Sequence, residues 1–107
     1  MSEFTDRIET RIYNKQWISL LHDLAFYYDG VDAASIRKIL NSNKHGVVKA
    51  ILKMIMEYTE DGQMDDLDHI LRNLMPALTS LRLDWSELDI IGKSWQRDAN
   101  ARGNLIG

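Results

Sequence analysis

The stretch Val47-Val48-Lys49-Ala50-Ile51-Leu52-Lys53-Met54-Ile55-Met56-Glu57-Tyr58 decides the fold class. Apolar residues fill nearly all of it, no period-two alternation runs through it, and Lys49, Lys53 and Glu57 recur every fourth position. As a helix it therefore has one narrow polar strip, which predicts a central element with Ile51 and Ile55 in the core, or one partly buried in an oligomer.

Other helices follow on both sides. Downstream, Asp61-Gly62 makes a turn, and Asp65 or Asp66 starts a helix whose acidic first turn complements the macrodipole. Leu67, Ile70, Leu71, Leu74, Leu78 and Leu81 keep one phase across Pro76, so a kink is expected there and not a reversal. Asp84 and Glu87 are spaced as a capping pair for a last helix carrying Trp85, Leu88, Ile91 and Trp95.

Upstream, Asn41, Ser42, Asn43 and Gly46 read as a connection, and Asp32 as the N-cap of a short helix burying Ile36, Ile39 and Leu40. Trp17, Leu20, Leu21, Leu24 and Tyr28 form a one-sided helix closed by Asp29-Gly30. Phe4, Ile8 and Ile12 make a stripe of different phase, so the first helix either breaks near Asn14 or serves two partners. The expected fold is all-α: a compact bundle of about five amphipathic helices joined by short loops. Residues 1–99 form a single helical domain and 100–107 a flexible tail.

Composition fits that picture. A chain of 107 residues with 45% hydrophobic and 27% charged residues suits one ordinary globular domain. No apolar run reaches the roughly 20 residues of a membrane-spanning helix, and the first 13 residues are too charged for a secretory signal, so a cytoplasmic protein is expected. Without cysteine there is no thiolate nucleophile and no cysteine-ligated metal. The net charge of -3 argues against global attraction to nucleic acid or anionic lipid.

Charge is segregated along the middle of the chain. Arg37, Lys38, Lys44, Lys49 and Lys53 are followed by Glu57, Glu60, Asp61, Asp65, Asp66 and Asp68. Read as a calcium loop, Glu57, Thr59, Asp61, Gly62 and Asp68 take positions one, three, five, six and twelve, but positions one and twelve want aspartate and glutamate and have the reverse. The expectation is an acidic turn without a metal. Read as helix-turn-helix, residues 37–53 offer phosphate contacts, yet the second helix has little polar surface for bases and an acidic neighbour. Nucleic acid is thus an unfavoured partner.

His22, His45 and His69 fall on three different elements, and neither His22 with Asp23 nor His69 with Asp68 faces its neighbour on a helix. No catalytic site and no cofactor is expected. Phe26-Tyr27-Tyr28 covers most of a helix circumference, so one of these rings points away from the buried face, either as a contact anchor or because the first helix is sandwiched between others. The functional expectation is a small non-catalytic protein, a regulator, inhibitor or adaptor, that binds another protein, alone or as a homodimer. Its surface is assigned to an acidic patch of Glu57, Glu60, Asp61, Asp65 and Asp66 and to Tyr27, Tyr28, Lys49 and Lys53. The alternative is a helix-turn-helix-like nucleic-acid-binding regulator using the basic segment 37–53.

Overall fold

Short helices separated by polar breaks cannot stand alone, and here they assemble into a bundle. The computed structural model describes the backbone of residues 2–106 and the side chains of residues 2–95 and 97. Among these residues there are six helices and no strand: α1 (Glu3–Tyr13), α2 (Trp17–Phe26), α3 (Ala33–Ser42), α4 (Lys44–Glu60), α5 (Met64–Ser80) and α6 (Ser86–Ile106). The all-α bundle is as expected. The sixth helix comes from the break near Asn14, where Lys15 takes a left-handed conformation (φ 55°) and separates α1 from α2.

α2 lies at the centre, packed against α1, α4 and α5, while α3 joins α1 and α4, and α6 lies along α4. Leu20, Leu21 and Leu24 of α2 are completely buried, together with Ile8, Ile36, Leu40, Val47, Ile51, Met54 and Leu74 from its surroundings. This corrects the expectation for α4. It buries Val47, Ala50, Ile51 and Met54 on one side only, leaves Ile55 half-buried, and exposes Leu52 and Met56. Its helical neighbours cover one side of the cylinder, so high apolar content did not translate into all-round burial.

Three local expectations change for physical reasons. Gly46 is not in a turn: it lies in the first turn of α4, and a Cβ there would come within 2.5 Å of the Trp17 ring. Asp32 does occupy the position before α3, but with φ 57° its side chain makes no cap bond. Its carboxylate instead accepts from the Ser2 amide (2.6 Å) and the buried Thr5 hydroxyl (3.0 Å), tying α3 to the start of α1. Asp84 and Glu87 do not pair as a capping box either, since α6 begins at Ser86 and Glu87 reaches Lys44 of α4 at 3.2 Å.

Pro76 sits inside α5, which continues through it. Pro76 and Arg72 are both exposed, so water can serve the Arg72 carbonyl whose helical donor proline lacks. α6 carries the backbone past Ala99 to Ile106 as helix, where the sequence suggested a tail.

Gly46→Ala tests the closest helix approach. Alanine gains up to about 1 kcal/mol of helix propensity, but overpacking a rigid indole costs about 1 to 3 kcal/mol. The substitution should therefore destabilise the protein in urea denaturation, and Trp17→Leu should remove much of that penalty in a double-mutant cycle. A net gain in stability from Gly46→Ala alone would mean that the indole moves aside freely.

Asp32 generates a pH prediction. The Ser2 amide bond, followed by the Ser2 and Thr5 side-chain bonds, holds its carboxyl below the ordinary value of 3.8. A depressed folded-state value gives stability that is present above the ordinary carboxylate range and is lost as pH falls through it. The stability difference between wild type and Asp32→Ala at pH 7 should therefore shrink by pH 3, as read from urea midpoints; a difference that grows on acidification would contradict the assignment.

Candidate interaction surface

A helix repeats its face every three to four residues, so Leu52 and Met56 lie one above the other on α4. They are 48% and 61% exposed. Val48, Ile55 and Thr59 continue the face toward α6, where Ile90 is 66% exposed. Between the two helices runs a groove of roughly 180 Å³, lined by Leu52, Ile55, Thr59, Met64, Leu67, Ile90, Ile91, Ser94 and Trp95.

Two indoles hold α6 in place. Trp85 Nε1 donates to Asn41 Oδ1 of α3 (2.7 Å), and Trp95 Nε1 donates to Asp68 Oδ1 of α5 (2.8 Å) while the Arg72 guanidinium lies 5.8 Å from its ring centre. The Lys44–Glu87 pair adds a link near the start of α6. Its surroundings lower the Glu87 carboxyl, first its own backbone N–H and then Lys44. These ties position α6 with Ile90 directed outward beside α4.

The acidic residues fall around one turn. Glu57 and Glu60 occupy the last turn of α4, Asp61 caps it, Gly62 supplies the left-handed step (φ 72°), and Asp65 and Asp66 lie in the first turn of α5. All five are exposed. The connection is only Asp61-Gly62-Gln63, and residues 57 and 68 are inside helices, so the twelve-residue calcium-loop geometry does not form. Among the described residues no group of three or more histidines, aspartates and glutamates is arranged to hold a metal ion.

The basic and aromatic candidates divide between two sides of the molecule. Lys49 and Lys53 are exposed on α4, Lys53 within 3.9 Å of Glu57. Tyr27 is exposed against Arg7 of α1, at 5.8 Å from ring centre to guanidinium, and Tyr28 is half-buried with its ring 6.0 Å from Phe4. Both tyrosines thus belong to the α1 side, whereas Lys49 and Lys53 share α4 with the acidic turn.

Two histidines that the sequence left on separate elements both meet Phe26. Phe26 stacks on His69 of α5 at 5.4 Å and meets His22 edge-on at 6.1 Å. His22 Nε2 is buried without a hydrogen-bond partner.

Leu52, Met56 and Ile90 escaped the sequence reading because apolar character was equated with burial. A signal existed: at ~100° per residue, Leu52 and Met56 adjoin Lys49, toward the lysine strip and away from Ile51 and Met54. Comparison with protein-family models, curated proteins and solved structures yields no match.

Calorimetric titration with calcium checks the turn. No saturable heat is expected, because the oxygen donors at positions 57 and 68 are committed to two helices. One-to-one binding that disappears in Asp61→Ala would establish a cation site there.

Proposed function

We propose that this chain is a non-catalytic protein–protein interaction module, of regulator, inhibitor or adaptor type, which docks through the joint face of α4 and α6. The observation that carries this reading is the exposure of Leu52 and Ile90 along an apolar groove, with Met56 exposed beside Leu52 on α4. Burying one such side chain contributes about 1.5 to 3 kcal/mol, so a few neighbouring anchors can dominate an interface. The acidic turn at the end of this face supplies a field that steers a partner with a basic rim.

The nucleic-acid reading gains nothing from the geometry. Lys44 and Lys53 face Glu87 and Glu57, and Leu52 and Met56 occupy the solvent face of α4 where base or phosphate contacts would be needed. Among the described residues no helix is long and apolar enough to cross a membrane.

Affinity capture from the host extract tests the proposal. Proteins enriched by the wild type should fall at least tenfold with Leu52→Glu, provided circular dichroism shows unchanged helix content. Recovery of the same proteins in the same amounts would exclude this face. In parallel, the wild type should not retard duplex DNA at physiological salt; a shift abolished by Lys49→Glu would instead support the basic segment as a nucleic-acid site.

A further inference from the structure

We infer that the partner seated on α4 is a second copy of the same chain, with the two α4 helices packed antiparallel about a two-fold axis. The inference rests on the interaction reading above and names the occupant of that face. Its basis is the order of charges along one exposed apolar stripe. His45, Lys49, Leu52, Met56 and Glu60 all lie on the solvent side of α4, spaced by three or four residues, so they share one face. The stripe spans roughly 22 Å at 1.5 Å per residue, with its cation, Lys49, in the first half and its anion, Glu60, at the far end.

Such a stripe complements itself only when reversed. A parallel copy would set Lys49 against Lys49 and Glu60 against Glu60. An antiparallel copy that seats Leu52 on Met56 of its mate brings Lys49 opposite Glu60 of that mate, and the two-fold axis makes the pair twice. Lys53 likewise meets the region of Glu57. Ile90 of α6 flanks the stripe and widens the apolar area beyond a single helix. The remaining exposed large apolar residues among those described, Tyr13, Phe26, Tyr27 and Val31, lie outside α4 and α6. Three exposed apolar anchors per copy, Leu52, Met56 and Ile90, make a small contact, and small interfaces are typically the transient kind.

Sedimentation velocity from about 1 to 200 μM tests this. The wild type should shift from monomer to dimer mass, with dissociation strengthened severalfold by raising salt because the interfacial pairs are screened. Leu52→Glu should leave a monomer of unchanged helix content. Lys49→Glu should weaken association tenfold or more, and the double exchange Lys49→Glu with Glu60→Lys should restore it, which a parallel arrangement cannot do. A monomer at every concentration would overturn the inference, as would a dimer indifferent to both Leu52→Glu and Lys49→Glu. The two readings remain separable: a monomer that still captures another protein in a Leu52-dependent way defeats self-association alone, whereas a monomer that captures nothing through this face defeats both.

Discussion

The structure depends on burying α2. A helix of ten residues is marginal in water by itself, yet this one presents Leu20, Leu21 and Leu24 with no exposed surface at all. It also carries Asp23 into the interior, 4% exposed, and a lone buried carboxylate is costly. Arg11 Nε reaches it at 3.0 Å and Arg7 at 3.8 Å, both from α1. α1 must therefore fold back along α2, and the short break at residues 14–16 is the hinge that permits this. Once it has, Phe4 reaches Tyr28 and Thr5 reaches Asp32, so the chain start fixes the entry to α3.

The other side of α2 sets the pose of α4. Trp17 lies where a side chain at position 46 would have to be, and only glycine lets the first turn of α4 approach so closely. That contact orients α4 with Val47, Ala50, Ile51 and Met54 inward, and helical spacing then puts Leu52 and Met56 outward. α6 attaches to this assembly through polar ties from its indoles and Glu87. It shelters part of α4 and leaves an apolar groove as its border. The candidate surface is a consequence of how α2 is buried, several contacts away.

Period and punctuation made the helices legible from sequence. The stripes of α3 and α5 and the turn at Asp61-Gly62 stand in the structure where periodicity placed them, and the phase change between Ile12 and Trp17 marked a break, whereas α2 keeps Leu20, Leu21 and Leu24 but ends at Phe26, before the expected Tyr28 and the stop at Asp29-Gly30. What was not legible depended on partners distant in sequence. Gly46 looked like a turn residue because its reason is an indole 29 positions upstream. Asp32 looked like a cap because Ser2 and Thr5 do not announce themselves as donors. Asp23 gave no sign of being a core residue until the arginines of α1 were in place. For the site, the acidic cluster was visible as a run of charge, while the exposed apolar residues were hidden by the uniform hydrophobicity of α4.

Among the described residues no side chain covers Leu52 or Met56 on α4 enough to bury it. Leu52 and Met56 add little to a fold in which they remain exposed, and Glu, Gln or Lys would satisfy helix propensity nearly as well. The acidic residues show the same asymmetry. Asp65 and Asp66 begin α5, where the positive end of the helix dipole favours them, but Glu57, Glu60 and Asp61 close α4, where that dipole opposes negative charge. Lys53 relieves Glu57 only at an exposed 3.9 Å, a separation at which surface pairs contribute little. The apolar groups without cover and one of those anions, Glu60, lie on the same strip, and each is improved by the same event. A surface that supplies apolar contact to Leu52 and Met56 and a cation to Glu60 resolves both, and the first half of α4 has that composition.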